Sequence, residues 1–244
     1  MPNWPDGYDR IVLDATDSTM AEAARRAPDL AGPTWILALH QTAARGRRGR
    51  VWVNPPGNFA ATLVMRPTEP PDRIALRSFV AALALFDAFT AVAGDDAPFA
   101  LKWPNDVLLQ GGKVAGVLLE NHPPHLSIGV GVNLADAPSA DAVEPEAARP
   151  VALAPETGAR VGPEDFLAVL AAAYAAWETR FTTYGFAPIR EAWLARAAKL
   201  GQPITARTGA ETIAGLFETV DNSGALVLNT AKGRRAIPAA DVYF

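Results

Sequence analysis

The chain has 244 residues, half of them hydrophobic, enough to bury one large core or a large and a small one. It has no cysteine, which excludes disulfides, thiolate metal sites and thiol redox chemistry, and its formal net charge of −4 argues against general affinity for nucleic acid. Its three histidines, His40, His122 and His125, lack metal-binding helical spacing, and with neither a signal-peptide pattern nor an apolar run read as reaching ~18 residues, a cytoplasmic protein is expected.

Residues 11–13 read as a short strand, and the polar turn from Asp14 to Thr19 leads into a helix over 20–27 that Pro28 stops. Thr19 with Glu22 three residues later fits a capping box. Hydroxyls and free N–H groups at a helix start also suit polar ligands, so Ser18 and Thr19 are candidates for both roles. Residues 35–39 form the next strand, and 59–65 another after the Asn-Pro-Pro-Gly-Asn turn at 54–58.

Between these two strands lies a loop that places four arginines and two glycines in six positions, Arg45 to Arg50, and ends on Trp52. Arginine offers a planar fork of donors for carboxylates and phosphates, and glycine lets backbone N–H groups approach the same anion. Two like charges about 4 Å apart repel by roughly 4 kcal/mol at an effective dielectric near 20, so an ordered loop of this composition calls for an anion. The same composition also fits a mobile basic loop or an arginine-glycine segment on nucleic acid.

The alanine-rich stretch 72–92 has helical spacing and reads as core packing. Leu101 to Glu120 then form two apolar arms around Gln110-Gly111-Gly112-Lys113, a β-hairpin signal. Lys102 and Lys113 fall at opposite ends of the first arm, and Pro104-Asn105-Asp106 marks a bend or bulge entering it. Gly116 in the second arm suggests close approach of a ligand or another backbone. Residues 126–134 form a further strand with one face left bare by Gly129 and Gly131. That face suits either a tight sheet–helix contact or a floor for a flat ligand, with Asn133 at its edge.

Residues 135–162 are rich in Ala, Pro, Asp and Glu and read as a surface excursion without chemistry. An amphipathic helix covers 163–184 with Phe166, Leu167, Leu170, Tyr174, Trp177 and Phe181 on one stripe, and a short helix covers 188–198. Past Gly201 come short alternating runs at 203–207, 212–220, 225–228, 235–238 and 242–244, the pattern of a small β-barrel.

Taken together, the blocks resemble the biotin protein ligases. That family carries an arginine-glycine loop, a Lys-Trp-Pro-Asn-Asp block, a Lys-x-x-Gly hairpin arm and a Gly-x-Gly-x-Asn strand. Here they stand in that order as Arg45 to Arg50, Lys102 to Asp106, Lys113 to Gly116 and Gly129 to Asn133, with an upstream Asp17-Ser18-Thr19. The resemblance runs from about residue 10 to the C-terminus. Two positions depart from it: Ala44 replaces the loop's first glycine, and Met20 stands where the family often has asparagine.

The resemblance implies an α+β fold, a mixed and largely antiparallel sheet with flanking helices like the catalytic domain of class II aminoacyl-tRNA synthetases, plus a C-terminal SH3-like β-barrel. The expected division is a catalytic domain over 1–199 and the barrel over 200–244. It implies an enzyme that joins biotin to AMP from ATP, with Mg²⁺ on the phosphates rather than fixed by protein, and passes the biotinyl group to a lysine of a biotin carboxyl carrier protein. A form without the N-terminal DNA-binding domain, with no nucleic-acid or membrane partner, is expected.

By the family's pattern, Ser18, Thr19, Gln41, Arg45, Gly46 and Gly116 would hold biotin. Arg47 and Lys113 would clamp its carboxylate and the α-phosphate. Arg48, Arg50, Trp52 and Asn133 would hold ATP, with Trp52 stacked on adenine, while Lys102 and Asp106 would assist transfer to the carrier. Residues 45–52 are expected to fold over the biotinyl-AMP intermediate. The rivals are a lipoate or octanoate ligase, which usually carries a different arginine-glycine motif followed by histidine, and a non-catalytic nucleic-acid module using Arg45 to Arg50.

Overall fold

The computed structural model describes residues 3–139 and 148–244. Seven strands make the main sheet: β1 (Asp9–Thr16), β2 (Thr34–Gln41), β3 (Phe59–Met65), β4 (Phe99–Lys102), β5 (Asp106–Leu109), β6 (Gly112–His122) and β7 (His125–Val132). They lie in the order β1-β2-β3-β7-β6-β5-β4, with β1 and β2 parallel and every other neighbour antiparallel.

The side-chain period of two sorts this sheet into two unlike faces. Trp35 and Leu37 on β2, Leu63 on β3, and Ile128 and Val130 on β7 enter the main core. That core is closed by α3 (Arg77–Ala93) and α5 (Pro163–Tyr184), the latter burying the whole expected stripe from Phe166 to Phe181. The alternate residues Ile36 and Val64 pack with Ala23 of α1 (Thr19–Arg26) and with its C-cap Ala27 in a small second cluster. Further along the second face the residues are Ala60, Thr62, Gly129 and Gly131, too small to fill it, and the site lies there.

Five more strands, β8 (Pro203–Arg207), β9 (Thr212–Val220), β10 (Leu226–Thr230), β11 (Gly233–Ile237) and β12 (Asp241–Tyr243), form an antiparallel sheet ordered β11-β10-β9-β8-β12. Its inward side chains, Ile213, Phe217 and Leu226 among them, are continuous with the main core. The Trp103 indole N–H donates to Gly224 O at 3.0 Å, and Trp193 of α6 (Phe186–Leu194) meets Phe217 with 6.5 Å between ring centres.

Several expectations are corrected. Ser18, not Thr19, is the N-cap of α1: its Oγ accepts from Met20 N at 3.2 Å, while Glu22 pairs with Arg25 and Arg26 instead of reaching back. The 72–92 helix is two, α2 (Pro71–Ala75) and α3, parted at Leu76. By length and composition the Pro71–Ala93 stretch does pass for a membrane span, with mean hydropathy 1.7. It is nevertheless 67% buried inside the protein, because α3 is the central helix of the core. The first arm of the predicted hairpin is itself folded in two, since the turn at Trp103-Pro104-Asn105 sends β5 back along β4 and sets Lys102 opposite Asp106. Residues 135–162 are only partly a surface excursion. Val151, Ala152 and Leu153 are buried, Leu153–Thr157 forms α4, and 140–147 lie outside the described residues.

Candidate active site

The second face of the main sheet carries a cavity of about 390 Å³ bounded by the start of α1, the arginine loop, β6, β7 and Asp241. At one end, α1 begins against the end of β2. Thr19 N donates to Gln41 Oε1 at 2.8 Å, and Thr62 Oγ1 donates to Thr19 Oγ1 at 2.9 Å. Ser18 and Thr19 are buried here, and with Gln41 they form an uncharged polar corner of the cavity.

The two glycines of β7 are covered by side chains. A Cβ on Gly129 would stand 2.7 Å from Met20 Sδ, and one on Gly131 would stand 2.6 Å from the Trp52 indole. Gly129 therefore serves a sheet–helix contact, the first of the two readings left open, while Gly131 makes room for the indole of the chain's own Trp52 rather than lying bare. The Trp52 indole nitrogen is buried without a hydrogen-bond partner among the described residues.

The arginine loop is a miniature hairpin. Arg45 and Val51 form an antiparallel bridge, Trp52 N donates to Ala44 O at 3.0 Å and Gly46 N donates to Arg50 O at 2.8 Å. At its tip Arg48 has φ +57° and Gly49 φ +74°. The anions it calls for come from the chain itself. Arg45 pairs with Glu120 at 3.0 Å, Arg48 and Arg50 reach Asp241 at 2.6 and 3.0 Å, and Arg47 lies 3.9 Å from Asp241. Arg47 also donates to Asn105 Oδ1 at 3.3 Å. Burial works against the Arg47 charge, Asp241 and Asp106 support it, and a guanidinium in such a balance stays charged.

Opposite the loop, the folded arm sets both lysines around Asp106, Lys113 in an ion pair with it and Lys102 across the strand pair. Asp106 faces Lys102 across β4–β5 and Gly116 across β5–β6, and its Oδ1 lies 2.7 Å from Lys113 Nζ. The expected separation of Lys102 and Lys113 is thus reversed by the turn at Trp103-Pro104. A Cβ at Gly116 would come 3.3 Å from Lys113 Nζ, so the glycine gives that lysine its room. Lys113 Nζ also stands 5.8 Å from the Trp52 ring centre. Lys102 is buried, and burial pushes its ammonium below the usual lysine range, with Asp106 and Asp241 opposing the shift and Lys113 adding to it.

Asn133 is buried and anchored on one side. Its Nδ2 donates to Val151 O at 3.0 Å, whereas its Oδ1 has no partner among the described residues. It offers a ligand a buried acceptor. Pro150 and Val151 run beside Lys113, with Lys113 N donating to Arg149 O at 2.7 Å and Val151 N donating to Lys113 O at 3.0 Å. This wall falls in the stretch read as having no chemistry. The apolar run from Pro150 to Leu153 was its available signal. Asp241 and Glu120 carried no such signal, since each is a single polar residue in a strand, whereas Asn105 lay inside the Lys-Trp-Pro-Asn-Asp block without being assigned a role. Among the described residues no three acidic or histidine side chains converge to hold a metal ion.

Comparison with known proteins matches this architecture. Residues 12–133 match the biotin/lipoate A/B protein ligase family, and residues 199–244 match the biotin protein ligase C terminal domain. The chain is 57% identical to the biotin--[acetyl-CoA-carboxylase] ligase of Paracoccus denitrificans, over 96% of this chain and 99% of that one. It is 31% identical to the bifunctional ligase/repressor BirA of Bacillus subtilis, over 95% of this chain and 71% of that one. Among solved structures, the biotin protein ligase of Aquifex aeolicus in complex with biotin and ATP superposes with a TM-score of 0.83 at 25% identity, covering 96% of this chain and 98% of that one.

Proposed function

Because the chain belongs to the biotin protein ligase family, we propose that its cavity carries out that family's two half-reactions with the residues described above. In the first, a biotin carboxylate oxygen bonds to the α-phosphorus of ATP and pyrophosphate leaves, giving biotinyl-5′-AMP. In the second, the ε-amine of a carrier-protein lysine attacks the acyl carbon, forming an amide and releasing AMP. The acceptor is the carrier protein of a carboxylase, in our reading the biotin carboxyl carrier protein of acetyl-CoA carboxylase. ATP as cosubstrate places the reaction in the cytoplasm.

The observation that carries this reading is the convergence of Arg47 and Lys113 on one cavity whose far corner is Ser18, Thr19 and Gln41. The first step drives an anion against a polyanion, so it needs fixed cations where the two meet and a donor–acceptor corner to hold the uncharged ring. Ser18, Thr19 and Gln41, with the Arg45–Gly46 backbone and Gly116, take biotin. Arg47 and Lys113 take its carboxylate and the α-phosphate, while Arg48 and Arg50 take the remaining phosphates. Trp52 provides the ring face for adenine, and the unpaired Asn133 Oδ1 suits an amino-group donor on its edge.

In this reading Mg²⁺ travels with the nucleotide phosphates and would supply further charge neutralisation there. For the second step, Lys102 supplies a buried cation and Asp106 the carboxylate at hand for the proton the incoming ammonium must lose. The catalytic part of the chain is residues 1–199 and the small sheet residues 200–244.

Exchange of labelled pyrophosphate into ATP, with Mg²⁺ and either biotin, lipoate or no acid, tests the first half-reaction without a carrier. Biotin-dependent exchange is expected. Exchange with lipoate alone would assign the chain to the lipoate branch, and no exchange with either acid would overturn the adenylation reading.

A further inference from the structure

Asp241 belongs to β12, the last strand of the small sheet, yet its side chain is only 12% exposed and lies among the arginines of the 45–50 loop. Arg48 Nη1 and Arg50 Nη2 both reach its Oδ2, at 2.6 and 3.0 Å, and Arg47 Nη1 stands 3.9 Å from its Oδ1. Three guanidinium groups gathered this closely repel unless a carboxylate sits between them. The backbone is also set for this contact. Arg48 holds the left-handed region at φ +57°, which a non-glycine residue keeps only when its contacts over-determine it, and the Asp241 pair is its shortest.

We propose that Asp241 is a positioning residue for adenylation. It gathers Arg47, Arg48 and Arg50 into one cationic wall on the cavity, so the small sheet sets the order of the loop that handles the phosphates. Its carboxylate reacts with nothing and acts through the arginines. One negative charge among three positive ones leaves the wall cationic, and the field that draws a triphosphate is kept. The proposal rests on the nucleotide-activating function above, but its first readout does not.

The test is limited trypsin digestion of the full chain, timed by cleavage after the loop arginines. Asp241→Asn keeps the shape and removes the charge. Its loop is expected to be cut about tenfold faster than the parent's, with the thermal midpoint within about 2 °C of the parent. Asp241→Glu should restore slow cleavage, and MgATP should protect the Asn variant. In pyrophosphate exchange the Asn variant should raise the ATP KM roughly five- to tenfold with kcat much less affected.

Unchanged loop cleavage would overturn the proposal. So would cleavage accelerated equally after Arg234 and Arg235 on β11, which would mean that the small sheet had opened, or failure of the Glu variant to rescue. Digestion without nucleotide needs no acid substrate, so a parent enzyme lacking exchange would refute the function while leaving the Asp241–loop coupling to be judged on its own.

Discussion

The Trp52 indole lies flat on Gly131, close enough that a Cβ at that glycine would fall 2.6–2.8 Å from three ring atoms. The strand needs no unusual φ at this position, so the glycine is there for the ring and not for the backbone.

Gly131→Ala should therefore fold normally while pushing the indole off the strand. With the proposed adenine face displaced, the ATP KM in pyrophosphate exchange is expected to rise by roughly tenfold or less, the equivalent of ~0.5–1.5 kcal/mol of ring packing. The biotin KM should move much less. Equal changes in both would place Trp52 outside the nucleotide site.

Arg47 is half-buried, reaches Asn105 and faces the same cavity as Lys113. Arg47→Gly removes charge-assisted hydrogen bonds worth about 1.5–3 kcal/mol, so free biotinyl-AMP should leave roughly ten- to hundredfold faster. Trapping of released intermediate by an excess of a non-specific amine-bearing protein measures this. Retention at the parental rate would remove Arg47 from the clamp.

Lys102 carries its charge against burial, which lowers its ammonium below the unfolded value of 10.5. The unfolded chain then binds more protons than the folded one between the folded pKa and 10.5. Stability contributed by this group is lowest below the folded pKa and rises with pH through that window. Lys102→Met should flatten that rise and should not destabilise the protein at neutral pH, as followed by chemical unfolding from pH 7 to 10. Transfer from preformed biotinyl-AMP to the carrier should nevertheless slow by about a hundredfold or more if Lys102 serves the second step. Unchanged transfer would leave it a structural lysine under the Phe244 ring, 5.0 Å away.

Much of this protein was legible in order along the chain. The apolar run at 59–65, the alternating runs at 203–207 and 212–220 and the helical stripe at 163–184 match β3, β8, β9 and α5 end to end, because each pattern is local. The arginine-glycine loop, the Lys-Trp-Pro-Asn-Asp block, the Lys-x-x-Gly arm and the glycine strand named the family because their order survives folding. Where each block goes was another matter. The strand pattern of 101–109 does not reveal that a turn at Trp103-Pro104 doubles it back, yet that turn sets Lys102 across the strand pair from Asp106, the carboxylate that Lys113 pairs with. Nor does composition say which anion meets the arginines. The composition called only for an anion, and the tertiary structure supplies Asp241, 193 positions from Arg48. Periodicity is a property of neighbours in the chain, whereas charge compensation acts through space over a few ångströms, and only the packing of the small sheet on the large one decides which carboxylate comes that close.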